Sequence, residues 1–338
     1  GVQTVEGDAP AAAAEAVPSY MKVLHDLSQS AALTGPSDDF GGFGSIFPVF
    51  DPPLNFQFRL GLRSTDFFLS GTFKSGTKTI GFIRVPTMSP SNTNTALTQF
   101  VTEMLFFQQN TDGLVIDVMR NGGGSLCYTE ALLQYLQTGQ FYAANYYIRA
   151  TDFWLSVFAS SLQSAKDQAA PGWLIALYGA YVNDLQNSLK GNRALTGALP
   201  ICSYSAYVTP SATLAFKKPI VVLTDEFTLS AAEFFSASLQ DTGRATIVGQ
   251  RTDGGGGNPG SYSAGVYSEG STRVTRTYVV RSKASPSPGF PSTNLIENAG
   301  VYPDTLLDFM TADNLDTGGE DFVAKWTKSI LDAIAKGN

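Results

Sequence analysis

The chain has 338 residues, of which 43% are apolar and only 15% are charged, and its formal net charge is −7. This apolar fraction is ample for a folded core, which excludes a chain that is disordered as a whole. An acidic chain without a basic stripe is unsuited to binding nucleic acid, and no run approaches the ~18 consecutive apolar residues of a membrane-spanning helix. We therefore expect a soluble globular protein of roughly two domains, or one large domain with an insertion.

Composition also bears on the compartment in which the chain works. Low charge together with abundant Ser, Thr, Asn, Gly and Ala favours an exported, extracytoplasmic protein, either periplasmic or secreted. The two cysteines, Cys127 and Cys202, are too few for a disulfide framework or a zinc site. Two buried free thiols are the preferred interpretation, although their pairing is left open.

The N-terminal part of the chain predicts an arm, a helix, a loop and a hairpin. Residues 1–19 are rich in alanine, and the apolar spacing in residues 20–33 is helical. Residues 35–53 are rich in Gly, Pro and Phe, which is typical of an irregular loop. Alternating patterns at 56–60 and 67–73 indicate the strands of a hairpin or meander.

From residue 79 the pattern changes to alternating strands and helices. Strands are predicted at 80–85, 113–118, 219–224, 245–249 and 272–280, and helices at 96–108, 126–136, 230–240 and 322–335. Strands that alternate with helices in this way form right-handed βαβ units. The sequence therefore predicts an α/β core with a mostly parallel sheet and flanking helices.

A long aromatic stretch interrupts this alternation. Residues 142–199 are too many for a loop of a compact domain, and they predict two helices broken at Pro171-Gly172. We interpret them as a helical insertion that could roof a site. The chain is thus divided into an N-terminal arm, helix and loop (1–53), an α/β core (54–141 and 200–312), the helical insertion (142–199) and a C-terminal helix (313–338).

A serine follows one of the predicted buried strands. After strand 219–224 a short polar turn leads to Ser230, where small residues open a helix. Such a turn exposes a hydroxyl at the carboxyl edge of a sheet, and the helix N-terminus offers free N–H groups to a developing oxyanion. The alternative is that Ser230 only caps the helix, with Glu233 completing a capping box.

A glycine turn follows another buried strand, 113–118. The three glycines of Gly122–Gly124 permit close backbone approach and positive φ, as an oxyanion hole or a phosphate nest requires. The stretch lacks the Lys-Ser/Thr of a P-loop and the spacing of a dinucleotide-binding fingerprint. An ordinary tight turn between strand and helix is the alternative.

Four segments together resemble the C-terminal processing (tail-specific) peptidases and the tricorn core protease. Residues 113–124 (GLVIDVMRNGGG) resemble the glycine-turn segment of that family, and 218–233 (KPIVVLTDEFTLSAAE) resemble its nucleophile segment. Residues 239–249 continue the second match, and 296–304 (IENAGVYPD) resemble the segment that closes the same domain. The resemblance covers roughly residues 79–304 and implies a Clp-protease/crotonase-like core.

The resemblance also implies roles for individual residues. Ser230 would be the nucleophile, and the backbone N–H of Ala231 and of Gly123 or Gly124 would hold the oxyanion. Glu297 stands at the position of the glutamate that the tricorn-like branch combines with Ser and His.

The general base is left open. The branch with a Ser–Lys pair is disfavoured because Gly255 occupies its lysine position. His25 is the only histidine and could be the family's N-terminal histidine, but in the family's local arrangement Ser28 takes that place. The base is therefore either His25 or absent. No PDZ domain is recognisable in residues 35–78, which leaves the tricorn-like branch without such a domain.

The first interpretation is a serine endopeptidase that hydrolyses polypeptides through an acyl-enzyme on Ser230, with Glu297 orienting or polarising the base. No metal or organic cofactor is implied, and the oligomeric state is left open. One alternative is a catalytically impaired binding protein on the same scaffold. Another is a crotonase-like acyl-transforming enzyme, which gives no reason for the serine and glutamate segments to occur together.

Overall fold

The computed structural model describes residues 44–265 and 268–337, so the predicted N-terminal arm and helix lie outside the described residues. The strands are β1 Gln57–Leu60, β2 Leu69–Ser75, β3 Lys78–Arg84, β4 Gly113–Asp117, β5 Phe141–Tyr142, β6 Asn145–Ile148, β7 Leu199–Pro200, β8 Tyr207–Val208, β9 Ile220–Thr224, β10 Ala245–Gly249, β11 Gly257–Ser263, β12 Ser271–Ser287, β13 Phe290–Leu295 and β14 Thr305–Leu306. The helices are α1 Thr93–Asn110, α2 Leu126–Leu133, α3 Asp152–Asp167, α4 Gly172–Lys190, α5 Ala231–Asp241, α6 Ala312–Thr317 and α7 Glu320–Lys336. None of these helices is long and apolar enough to cross a membrane.

A seven-stranded sheet lies at the centre of the fold, in the order β1-β2-β3-β4-β9-β10-β14. The first three strands form an antiparallel meander, in which β1 and β2 correspond to the predicted hairpin or meander, and all neighbours from β3 to β14 are parallel. Successive βαβ units therefore advance across the sheet in one direction, and right-handed crossovers place α1, α2 and α5 on the same face. The predicted α/β class with a large, mostly parallel sheet is confirmed.

Alternating residues of each central strand supply two separate apolar cores. In β4, Leu114 and Ile116 pack in the core that α1, α2 and α5 cover. Val115 points the other way, into a core that includes Trp326 and Ile330 of α7. A strand that is buried on both faces reads as a continuous apolar run, which is why β4 and β9 were recognisable from the sequence. With both faces covered, the carboxyl edge of the sheet is the place for a site.

The insertion contains the two predicted helices, α3 and α4, with the break between them at residues 168–171. They form a small apolar cluster with Ile148 of β6. That strand belongs to a second sheet of order β11-β12-β6-β7, in which β13 also pairs with β12. The insertion is therefore tied to the core by strand pairing. Sequence reasoning found only part of β12 in this second sheet.

The expectation of two free thiols is wrong. Cys127, in the first turn of α2, forms a disulfide with Cys202, and their Cα atoms lie 5.2 Å apart. The two cysteines are 75 positions apart, and the loop that they close holds the whole insertion. A pairing over this distance depends on the fold that brings the two side chains together, so spacing alone could not reveal it.

We expect loss of this disulfide to lower the free energy of unfolding by about 4 kcal/mol, because the cross-link removes the closure entropy of a long loop from the unfolded chain. Urea denaturation of the parent with and without reductant measures the effect. The double variant Cys127→Ala/Cys202→Ala should match the reduced parent and should not respond to reductant. If reductant left the parent's midpoint unchanged, the disulfide would have no such role.

Candidate active site

Ser230 lies in the turn between β9 and α5, where it occupies the N-cap position of the helix. Its backbone has φ 56° and ψ −117°, whereas an N-cap residue usually has an extended conformation. A residue with a side chain held at such angles costs on the order of 1–3 kcal/mol. Sharp, strained turns from strand to helix are the kind that present a nucleophilic hydroxyl. The backbone geometry of Ser230 therefore favours a nucleophile over a simple helix cap.

Glu233 anchors this turn from inside the protein. One carboxylate oxygen, Oε2, accepts a hydrogen bond of 2.8 Å from the Ser230 amide. The other, Oε1, accepts from the Thr252 hydroxyl at 2.6 Å and from the Gly254 amide at 2.8 Å. Burial nevertheless raises the pKa of Glu233 to about 7. The sequence suggested only a capping role, but this carboxylate also joins the nucleophile turn to the segment after β10.

Substitution of Glu233 should change how stability depends on pH. The pKa of Glu233 is about 7 in the fold, against an ordinary value of 4.5. Between pH 4.5 and pH 7 the folded chain therefore keeps this carboxyl group protonated, whereas the unfolded chain has released the proton. This stabilising contribution is complete below pH 4.5 and is lost as the pH rises to 7, a change of roughly 3 kcal/mol. Glutamine at this position cannot titrate. The difference in free energy of unfolding between the parent and Glu233→Gln should therefore change by that amount as the pH rises. Urea denaturation from pH 4.5 to 8 tests this, and a pH-independent difference would refute it.

The glycine turn lies directly against the nucleophile turn. Gly123 has φ +88°, and a Cβ atom placed on it would lie 2.7 Å from Ser230 Cβ and 3.0 Å from the Ala231 nitrogen. Gly124 has φ +139°, and a Cβ there would lie 2.5 Å from the carbonyl carbon of Met88. Only glycine permits both the positive φ and this approach. A tight turn with a purely local role would not need to touch Ser230 and Ala231.

Asn121 holds the glycine turn in place. Its side-chain oxygen accepts a hydrogen bond of 2.9 Å from the Gly123 amide, and its Nδ2 donates to the Val85 carbonyl at 2.9 Å. Its own carbonyl accepts from the Leu229 amide at 2.9 Å. This buried residue thereby connects the end of β3, the glycine turn and the residue before Ser230.

The structure distinguishes among the amides predicted to hold an oxyanion. The Gly123 amide is engaged by Asn121. Among residues 44–265 and 268–337, the amides of Gly124 and Ala231 have no hydrogen-bond acceptor. Ala231 is also the first residue of α5, where the helix dipole favours negative charge. The three assignments stay predictions, and the geometry favours Gly124 and Ala231 over Gly123 as donors.

A second buried carboxylate lies beneath both turns. Asp225 Oδ1 accepts hydrogen bonds of 2.9 Å from the Arg120 amide and from the Thr228 hydroxyl. Burial raises the pKa of Asp225 to about 6. Because Arg120 precedes the glycine turn and Asp225 precedes Ser230, this carboxylate couples the ends of β4 and β9.

Glu297 is held at the second sheet. The Thr275 hydroxyl of β12 donates to its Oε1 at 2.8 Å, and a Cβ placed on Gly257 would lie 2.8 Å from its Oε2. The side chain is half-buried. In the described part of the chain no basic side chain pairs with it. The carboxylate is thus positioned and still available to a further partner.

A glycine segment after β10 separates Glu297 from the nucleophile turn. Gly254 donates its amide to Glu233 and accepts a hydrogen bond of 2.7 Å from the Asn298 amide. A Cβ placed on Gly255 would lie 2.3 Å from Leu229 Cδ1. The position at which the Ser–Lys branch carries its lysine therefore faces the nucleophile turn, and here it holds only a glycine.

Residues 79–306 match the model of peptidase family S41. The chain belongs to this family. The match covers β4 to β14, the glycine turn and the nucleophile turn, and it confirms the family resemblance inferred from the sequence. Membership of S41 also supports the predicted serine peptidase function.

This S41 chain is similar to two chlamydial proteins and, in fold, to one protein of known structure. A Chlamydia muridarum protein is 27% identical over 281 residues, which are 75% of this chain and 45% of that protein. A Chlamydia trachomatis protein is 28% identical over 282 residues, with the same coverage. Mature CPAF complexed with lactacystin has a TM-score of 0.69 at 23% identity, over 91% of this chain and 62% of that chain. This S41 chain therefore spans less than half of the chlamydial relatives, and the likeness to CPAF shows the shared fold.

His25, the predicted base, lies outside the described residues, so its place relative to Ser230 stays a prediction. It is the only histidine in this S41 chain. Ser230 and the glycine turn meet at the carboxyl edge of the main sheet, and Glu297 approaches the same edge from the second sheet.

Several residues that shape this S41 site were missed at the level of sequence. Asn121 and Asp225 stand inside recognised motifs, yet their hydrogen-bonding roles depend on contacts across about a hundred positions. Thr275 carries no local signal, since threonine is common in strands, and Thr252 lies in the connection between β10 and β11. For Glu233 a signal existed, three positions after Ser230, and was interpreted only as a helix cap.

Proposed function

We propose that this S41 chain is a serine peptidase that cleaves polypeptides through an acyl-enzyme on Ser230. The observation that carries the proposal is the contact between Gly123 and the Ser230–Ala231 pair, since it sets backbone amides beside a strained serine. Attack by Ser230 Oγ on a substrate carbonyl places negative charge on the carbonyl oxygen. Amides of the glycine turn and of Ala231 would stabilise that charge. The amine product then leaves, and water releases the acyl group.

The proposal assigns proton transfer to His25 and its orientation to Glu297. A carboxylate that is hydrogen-bonded on one oxygen can fix an imidazole ring and stabilise the imidazolium that forms during attack. The Thr275 hydroxyl supplies such a bond to Glu297 Oε1. Without a base the same scaffold would bind polypeptides and leave them intact.

The finer fold assignment is part of the same proposal. A Clp-protease/crotonase-like core is supported by βαβ units that advance in one direction, with α1, α2 and α5 on one face of the sheet. Extracytoplasmic location is supported by the disulfide between Cys127 and Cys202. Disulfides persist in oxidising compartments and are rare in reducing ones.

Hydrolysis of an unfolded protein such as β-casein tests the proposed activity. We expect cleavage that a fluorophosphonate abolishes and that neither EDTA nor a thiol-alkylating reagent affects. Cleavage that EDTA stops and a fluorophosphonate does not would contradict a serine mechanism. Binding of casein without cleavage would favour the binding-protein alternative.

A further inference from the structure

A cavity of about 590 Å³ lies between α2, the two insertion helices and the second sheet. Its volume falls within the range of ~300–1,000 Å³ that is usual for ligand-binding sites. The walls contributed by α3 and α4 are mostly apolar and aromatic, and they include Trp154, Phe158, Trp173, Leu177, Tyr178 and Tyr181. No residue that the peptidase proposal assigns to the chemistry lines this cavity.

The cavity adjoins the candidate active site on two sides. On one side, Cys127 lines it and stands three positions after Gly124 of the glycine turn. On the other side, Thr277 lines it and stands two positions after Thr275, the residue that holds Glu297. Asn258, which pairs with Thr277, also lines the cavity and directly follows Gly257, where a Cβ atom would lie 2.8 Å from Glu297 Oε2. A polypeptide bound at Ser230 can therefore extend from the site into this cavity.

The charge of the lining selects against acidic groups. Among the described residues that line the cavity, Glu130 is the one carboxylate, and there is no lysine or arginine. Glu130 accepts a hydrogen bond of 2.9 Å from the Ala144 amide, and burial raises its pKa. A second carboxylate in this space would be desolvated beside the first, and no lysine or arginine among the described lining residues offsets that cost. Uncharged apolar groups meet no such penalty.

The cavity walls are held in place by contacts among themselves. Trp154 stacks on Phe158 with ring centroids 5.5 Å apart, and Phe158 meets Tyr181 edge-on at 4.6 Å. The disulfide joins Cys127 of the α2 wall to Cys202, which also lines the cavity. A space bounded in this way is formed before a ligand arrives, which reduces the entropy lost on binding.

We propose that this cavity is a substrate subsite for a bulky apolar side chain of an extended polypeptide, such as Phe, Tyr, Leu or Met, and that it excludes Asp and Glu. The proposal rests on the proposed peptidase function. The subsite gives this chain a preference for segments that are normally buried in folded proteins, so unfolded polypeptides are its substrates.

A variant that fills the cavity provides the first test. Ser161 lines the cavity from α3, whereas its neighbour Ser160 is exposed and does not. A set of internally quenched peptides carries Phe, Ala or Asp at one position, and that position is moved along the peptide. At one position the peptide with Phe should have a kcat/KM about 10-fold higher than the peptide with Ala and about 100-fold higher than the peptide with Asp. Ser161→Phe should lower kcat/KM for the Phe peptide at least ~10-fold and for the Ala peptide less than ~2-fold. Ser160→Phe should change neither. Equal losses on both peptides, or no preferred position, would overturn the proposal.

A binding measurement separates this proposal from the proposed activity. Trp154 and Trp173 line the cavity, while the third tryptophan, Trp326, lies in the core under α7. In the Ser230→Ala protein, titration with the Phe peptide should change tryptophan fluorescence saturably, and the Asp peptide should not. That result would support the subsite even if the parent cleaved nothing, in which case only the proposed activity fails. Equal responses to both peptides, or no response, would reject the subsite even in an active peptidase.

Discussion

Ser230→Ala is expected to abolish cleavage of unfolded polypeptides and leave the fold intact. Loss of the nucleophile in a serine peptidase lowers kcat by about 10⁶-fold, because the remaining groups cannot form the acyl-enzyme. Alanine keeps the backbone in the same strained conformation and removes one oxygen. A discontinuous assay with β-casein, together with circular dichroism to check the fold, measures the effect. Undiminished cleavage by this variant would remove Ser230 from the mechanism.

Ser230→Gly is the matched control for the strain at this position. Glycine adopts φ 56° readily, so the variant loses the backbone strain of roughly 1–3 kcal/mol. This gain exceeds the ~0.5–1 kcal/mol of stability that glycine costs through the entropy of the unfolded chain. We expect Ser230→Gly to be inactive and about 1 kcal/mol more stable than Ser230→Ala. Inactivity coupled to higher stability is the signature of a side chain held in place for function. A less stable glycine variant would show that the turn is not strained.

Gly123→Ala is expected to lower kcat/KM by about 10²–10³-fold, the effect of losing one oxyanion donor, because the neighbouring Gly124 amide moves with the turn. The added methyl group would meet Ser230 Cβ at 2.7 Å and the Leu229 carbonyl oxygen at 2.8 Å. The Leu229 carbonyl belongs to the backbone, so the glycine turn must move away from the nucleophile. Kinetics with one quenched peptide, together with urea denaturation, separates loss of activity from loss of fold.

Gly139→Ala is the control for this substitution, because a Cβ at Gly139 would meet nothing within 4 Å. That variant should keep full activity. If Gly123→Ala retained the parent's turnover, the contact between the glycine turn and Ser230 would have no catalytic meaning. The proposed oxyanion hole would then have to be abandoned.

The parts of the fold that sequence predicted well are those with strong local patterns. β9, predicted at 219–224 and observed at Ile220–Thr224, is apolar up to its last residue because α7 and the βα helices cover its two faces. α5 begins one residue after the predicted start, since Ser230 takes the N-cap position. The two insertion helices were separable because a Pro-Gly pair cannot continue a helix.

The parts that sequence could not supply depend on contacts across the chain. Two hydrogen bonds hold the Ser230 backbone in place: the Asn121 carbonyl accepts from the Leu229 amide, and the Glu233 carboxylate accepts from the Ser230 amide. The second sheet pairs β6 with β12, whose partners lie 129–135 positions apart. The sequence predicts a strand at 272–280, within β12, but the other strands of this sheet carry no clear alternation, so a second sheet is not indicated. The disulfide was missed because it also joins residues that are far apart in the chain, at a separation of 75 positions.

Identification of the residue that a fluorophosphonate modifies tests the central claim most directly. The reagent phosphonylates only a serine whose hydroxyl is activated and whose oxyanion site can hold the phosphoryl oxygen. The 338-residue chain is treated with an alkyl fluorophosphonate, digested, and mapped by mass spectrometry, with Ser230→Ala as the control. We expect a single modification, on Ser230, and none in the variant. A modification on another serine, or an unmodified Ser230 in a chain that cleaves casein, would contradict the assignment of Ser230 as the nucleophile.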